Sequence, residues 1–305
     1  MKLLMESWNK FVTEVADAGK LDPKLFPKDL DNVDAARAKQ LVTTGDDDVD
    51  GGDGDDVIPT GHKPQGVASV QKLKPSQSSM NIKKALQFVI QMLHPKGKLN
   101  AGGDLGAFIS KDGYIMDGHH RWIATAMIDP SLSVGGYLVD FPGEQLVAVL
   151  NAMTKGFWGD RKGKEASGGF EQFKEGPIRQ MLIKLMKEGV WDNLGAEDVV
   201  AVIEKWTGQQ GEAAVEAAVD KLVQNLSTLT MATPSWASGR EQMPVIDDEA
   251  HPGATTAAAK ALNVGSVNVN PPYKKGGQQP QQQQVATENR KRARRRKQKQ
   301  GRATK

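Results

Sequence analysis

Apolar residues recur at a helical or strand period most continuously between about residue 67 and residue 230 of this 305-residue chain. The main folded region is expected there. Before it lies Gly45-Asp46-Asp47-Asp48-Val49-Asp50-Gly51-Gly52-Asp53-Gly54-Asp55-Asp56, an acidic low-complexity run. After Pro234 no period survives, and Pro271-Pro272, the glutamines at 281–284 and the basic finish read as disorder. These polar ends account for a hydrophobic fraction of only 38%. The formal charge of +3 is segregated in the same way. The last twenty residues carry ten Lys and Arg against one Glu, which leaves 30 cationic against 36 acidic side chains elsewhere. Cationic character therefore belongs to the tail alone.

The expected organisation is an N-terminal helical segment (1–44), an acidic linker (45–66), a small α+β domain with a mixed sheet (67–155), a helical region (156–230) and a disordered tail, basic at its end (231–305). Leu4, Trp8, Phe11 and Val15 give a helical face over 2–18, and 29–43 a weaker one. Val70–Leu73 reads as a strand stopped by Pro75, and 80–93 as a helix. Ala107–Ser110 and Tyr114–Met116 read as strands joined at Asp112-Gly113, because the turn needs positive φ. Arg121–Met127 is helical in pattern, 134–141 a strand and 143–154 a helix. Helices are expected at 176–188, 196–207 and 211–229.

The chain has no cysteine, which excludes disulfides, zinc–thiolate sites and a thiol nucleophile. No apolar run approaches the roughly 18 residues of a membrane span, and the leader's apolar core is too short for a secretory signal. The expected location is the cytoplasm, or the interior of a virion. No Gly-x-x-x-x-Gly-Lys-Ser/Thr loop occurs. Asp46, Asp48 and Asp50 could open a calcium loop, but its twelfth position, which wants a glutamate, is Val57.

The segment Tyr114-Ile115-Met116-Asp117-Gly118-His119-His120-Arg121-Trp122-Ile123-Ala124-Thr125-Ala126 is where chemistry is expected. A strand ends, Asp117-Gly118 turns, and a helix begins at about His120. The first N–H groups of a helix lack internal partners, and its dipole favours an anion there. Gly118 admits a ligand close to the backbone. Arg121 adds a planar two-pronged donor suited to phosphate, and His119 and His120 can donate to oxygens or move protons. Asp117 could cap the helix or help hold a cation. Asp104, after Gly102-Gly103, could be a general base or cation ligand if its loop folds over the site.

Asp-Gly-His-His-Arg-Trp-Ile-Ala resembles the signature of the ParB/sulfiredoxin superfamily, a Gly-x-x-Arg-x-x-Ala core after a strand. Gly118, Arg121 and Ala124 fall on its three positions, and Leu73-Lys74-Pro75-Ser76-Gln77 resembles the entry strand and turn. The resemblance covers about 67–155 and implies a nucleotide site with phosphates at this loop, ATP or CTP being the nucleotides family members use. His119 stands where sulfiredoxins carry their catalytic cysteine, so that chemistry is excluded. Two histidines replace the partition proteins' acidic and arginine residues, which departs from the pattern for CTP gating. Separately, the leader resembles the short amphipathic leaders of some tailed-phage proteins, with Leu4-Met5-Glu6 similar to their Leu-x-Glu cleavage pattern.

The primary expectation is phosphoryl transfer or hydrolysis of the NTPase, kinase or nuclease type. Gly118, His119, His120 and Arg121 would grip phosphate, His119 or His120 would act as acid or base, and Asp117 or Asp104 would position the nucleophile or Mg²⁺ arriving with the nucleotide. The alternatives are a non-catalytic nucleic-acid-binding module and a phage head-associated structural protein. The cationic block Arg290, Lys291, Arg292, Arg294, Arg295, Arg296 and Lys297 suits nucleic-acid phosphates without sequence preference. Trp122 is expected in the core, and Trp158, near Arg161, Lys162 and Lys164, is the better tryptophan for a nucleotide contact.

Overall fold

The computed structural model describes residues 26–42, 60–159, 168–191, 194–244 and 252–263, with residues 21, 23, 24, 58 and 267 beside them. The helix expected at 2–18, the acidic run, Arg161, Lys162 and Lys164, and the cationic block at 290–297 lie outside the described residues.

Five strands form one mixed sheet in the order β1-β5-β3-β4-β2, with β1 Thr60–Ser69, β2 Lys74–Pro75, β3 Asp104–Ser110, β4 Tyr114–Ile115 and β5 Ser133–Val139. The expected hairpin is present. Gly113 takes φ +84° and β4 pairs antiparallel with β3 through Ile109 and Ile115. β5 runs parallel to β3, and a parallel pair needs a crossover. Helix α3 (His119–Ile128) lies within that crossover, which fixes its first turn beside the upstream half of β3. The other helices are α1 Ala35–Val42, α2 Ile82–Leu93, α4 Gly143–Met153, α5 Glu175–Glu188, α6 Ala196–Thr207, α7 Gly211–Leu226 and α8 Ala254–Asn263. The fold is α+β.

Both faces of the sheet are covered, so β3 reads as a near-continuous apolar run and not as an alternation. Leu105, Ala107 and Ile109 join a core with α2, α3, α5, α6 and α7, while Phe108 and Val139 join a second core with α1, α4 and α8. The helices expected over 156–230 thus pack on α2 and α3 in the core they share with the sheet. Asn225 of α7 donates to the carbonyls of Met127 (2.8 Å) and Ile128 (3.0 Å), satisfying the end of α3. Trp122 is fully buried, as expected, and its indole N–H donates to Val70 O at 3.0 Å.

Three expectations need correction. Val70–Lys72 is a 3₁₀ turn, because the Val70 carbonyl is taken by Trp122 and its N–H by Leu132 O. The sheet starts at Thr60, seven residues early. β1 is an exposed polar edge strand with a register break between Lys63 and Ala68, so no apolar alternation marks it, and Pro64 is tolerated there. Finally, residues 234–244 and 252–263 are ordered. Met243 is buried, and Ala258 and Leu262 of α8 enter the second core. Glycines and prolines cut this stretch into pieces too short to show a period.

Among the described residues no helix is long and apolar enough to cross a membrane.

Candidate functional site

Met116 N–H donates to Phe108 O at 2.8 Å, which ends β4 beside β3. Gly118 then caps α3 at φ +83°. A side chain there would be strained, and its Cβ would sit 2.7 Å from Ala107 Cβ, so only glycine fits. The N–H groups of Arg121 and Trp122 both donate to Gly118 O at 3.0 Å. Those of His119 and His120 have no intrahelical partner and face the turn. The strand–turn–helix read from the sequence is present, with the helix starting one residue early at His119.

The histidines turn toward the loop between β2 and α2. His119 is 3% exposed, and its Nε2 accepts the Ser76 N–H at 3.1 Å. Ser76 Oγ donates its own proton to Ile115 O at 2.5 Å, so it leaves that nitrogen to the backbone amide. Burial first, and the Arg240 charge second, lower the His119 pKa to about 3. This ring is neutral, and its Nε2 lone pair ties two elements together.

His120, 5% exposed, accepts the Asn81 N–H on Nε2 at 3.1 Å. Its pKa is lowered by burial first, then by the charges of Arg240 and Lys84. Its Nδ1 faces Arg240 Nη1 at 3.4 Å. Backbone N–H and guanidinium are both donors only, whereas a neutral imidazole offers a single acceptor nitrogen. The shorter contact takes it. Nδ1 therefore carries the proton and points at another N–H, so two donors face each other without an acceptor between them.

Arg240 comes from the stretch read as disordered. Ser78 donates to Ser238 O through both N (2.9 Å) and Oγ (3.1 Å), and Arg240 N–H donates to Ser79 Oγ at 3.0 Å. The backbone of 238–240 is thus fastened along 78–79, which aims Arg240 at His120. Burial pulls the Arg240 pKa below its usual value, and the Asp117 carboxylate opposes that pull. Asp117 Oδ1 accepts the Gly118 N–H at 2.6 Å. On the same 76–81 loop Gln77, 3% exposed, has an Nε2 with no acceptor.

The remaining expected residues lie to the other side. Arg121 is half-buried against Gly106 of β3, where an added Cβ would stand 3.1 Å from Nη1 and 3.3 Å from Nη2. Its guanidinium has no hydrogen-bond or ion-pair partner among the described residues. Asp104 does not fold over the histidines of α3. Its Oδ1 accepts the Gly106 N–H at 2.8 Å, and its Oδ2 accepts from His62 Nε2 at 2.6 Å. Trp158 packs part-buried against the second core, close to Phe157.

The structure therefore groups Gly118, His119 and His120 with Arg240, and sets Arg121 and Asp104 along β3 with His62. Sequence reasoning missed Arg240, because it sits between Gly239 and Glu241 without local pattern, and His62, because it lies on a polar edge strand. Comparison with protein families, curated proteins and solved structures finds no match.

Proposed function

We propose that the start of α3 binds the phosphate group of a nucleotide or of a nucleic-acid backbone. The observation that carries this reading is the facing pair of donors, His120 Nδ1–H and the Arg240 guanidinium, 3.4 Å apart at the buried N-terminus of α3. Such a pair is unfavourable alone, and an oxyanion that accepts from both relieves it. The amides of His119 and His120, without a partner among the described residues, add donors and a favourable dipole. The strand–turn–helix around Gly118 and Arg121 supports the ParB/sulfiredoxin-like assignment, whose family implication is the same ligand. ATP and CTP are the nucleotides to try first. Nucleic acid is the macromolecular partner, through this pocket and the cationic residues 290–297.

Magnesium does not fit as a resident of this pocket. Asp117 is its single carboxylate, held by Gly118 and standing beside Arg240, and the described residues contain no group of three metal-ligating side chains. The pocket's histidines act as donors and braces, since each Nε2 is occupied by a backbone amide.

Calorimetry with ATP, CTP and inorganic phosphate tests the reading. Arg240→Ala should weaken binding at least about tenfold, which corresponds to roughly 1.4 kcal/mol. Equal affinity in wild type and variant would remove Arg240 from the site.

A further inference from the structure

We propose that residues 232–242 form a strap that lifts to admit the phosphate and is locked down by it, with Ser79 as its latch, a role that rests on the phosphate-binding reading above. Both ends of this stretch are anchored. Met231 packs part-buried against the first core, and Met243 is buried in the second. Between them, from Ala232 to Gln242, no residue is buried, and Trp236 is the one side chain that packs on a core. Its ring meets Tyr114 edge-on, with centroids 4.9 Å apart and planes 66° apart. A segment with fixed ends, little buried apolar surface and solvent-facing hydrogen bonds opens locally at low cost.

The loop that faces the strap is held far more firmly. Ser76, Gln77 and Met80 are buried, and Met80 belongs to the first core. The N–H groups of Ser76 and Asn81 are taken by His119 and His120, and the Asn81 side chain caps α2 by accepting the Lys84 N–H at 3.0 Å. The 76–81 loop is therefore scaffold, and the strap is the moving member. Three hydrogen bonds fasten one to the other: Ser78 N–H and Oγ to Ser238 O, and Arg240 N–H to Ser79 Oγ. The Ser78 Oγ contact is exposed, so water competes for it. The Ser79 contact is part-buried and made to Arg240 itself, so it decides where the guanidinium stands.

The closed strap leaves donors unmatched. Arg240 Nη1 faces His120 Nδ1–H at 3.4 Å, and Gln77, whose backbone bridges Ser238, has a buried Nε2 without an acceptor among the described residues. Both mismatches fall where strap and scaffold meet. Arg240 is the strap residue that stands against His120, so lifting the strap uncovers Nδ1. An oxyanion that then accepts from Nδ1–H and from the returning guanidinium turns a repulsive contact into a two-sided clamp. The anion thus interacts better with the closed strap than with the open one, which is the condition for a ligand to shift a conformational equilibrium.

The experiment follows amide hydrogen exchange by mass spectrometry in the full chain, with inorganic phosphate as the probe and its binding measured by calorimetry in the same buffer. Saturating phosphate should slow exchange in peptides covering 232–243 by at least about tenfold, while α7 peptides change by less than about twofold. Ser79→Ala removes the acceptor from the Arg240 N–H. It should speed strap exchange without phosphate and weaken phosphate affinity about fivefold, at a melting temperature near wild type. Ser79→Thr keeps the hydroxyl and should restore both. Phosphate that binds without slowing the strap, or that slows α7 equally, would overturn the proposal and leave the binding pocket standing. Ser79→Ala with wild-type strap exchange would overturn the latch. Wild-type protein that binds no phosphate would remove the pocket reading, and the strap with it.

Discussion

Two regions of this protein present histidine to a carboxylate- or cation-bearing neighbour, and they do so in opposite ways. At the start of α3, His119 and His120 are buried, neutral and locked by backbone amides from the 76–81 loop. On the sheet's edge strand, His62 is 40% exposed in its side chain, tied to a carboxylate and free at its second nitrogen. Burial and an N–H donor make an imidazole a neutral brace, whereas an exposed imidazole beside a carboxylate is one half of a surface ion pair. A sequence motif with two histidines thus marks two buried rings that tie elements together, and the exposed, carboxylate-paired histidine is one that no motif marks.

Acid sharpens this contrast with the largest expected effect. The unfolded chain protonates His119 and His120 as pH falls through the ordinary value near 6.5, while the fold holds His119 neutral to about 3 and His120 well below 6.5. Their stabilisation is complete above 6.5 and is lost as pH falls below it. His119 alone contributes a slope approaching about 1.4 kcal/mol per pH unit below 6.5, so unfolding free energy should drop by roughly 2 kcal/mol from pH 7 to pH 5, and His120 adds to the fall in the same direction. Urea titrations across that range measure it. A flat profile would mean the two rings are accessible to protons in the folded state.

Gly118→Ala comes next. It places a side chain at φ +83° and a Cβ 2.7 Å from that of Ala107, so the first turn of α3 must move. A loss of about 2 kcal/mol is expected from strain and overpacking, with phosphate affinity falling in parallel. A variant that melts like wild type and binds like wild type would detach this turn from the site.

Asn225→Ala tests how the site is held from below. The amide caps the end of α3 through the Met127 and Ile128 carbonyls, and its removal should cost about 1 to 2 kcal/mol by chemical denaturation. Because the capped end is the far end of the helix, affinity for phosphate should change less than stability does. An equal loss in both would mean that α7 sets the geometry of the pocket as well as its rigidity.

Much of this site was legible in the chain. Asp112-Gly113 requires a turn, and the hairpin follows. Gly118 before a helical pattern marks a turn into a helix, and α3 begins at His119 directly after it. Residues 196–207 read as a helix from Val199, Val202 and Ile203 on one face, and α6 has those bounds. What was not legible depends on partners distant in sequence. Arg240 matters because Ser78 and Ser79 hold its backbone from about 160 residues away. His62 matters because β1 pairs with β5 and so brings it onto Tyr137 and toward Asp104. Val70 looked like strand because β-branched residues favour it, but its carbonyl serves an indole instead.

The smallest expected effect on stability falls on His62 itself, and it bears most directly on the contrast. An exposed ion pair contributes about 0 to 1 kcal/mol, because water screens the charges and both side chains lose freedom. His62→Gln should therefore shift the urea midpoint barely, whereas His119→Ala should cost about 2 to 4 kcal/mol by leaving the Ser76 N–H without its acceptor and opening a cavity. Measured side by side, the two substitutions separate a histidine kept for architecture from one whose position the fold stabilises little. If His62→Gln proved as damaging as His119→Ala, the Tyr137 stack would be a structural contact of β1, and the division between buried brace and exposed ion pair would collapse.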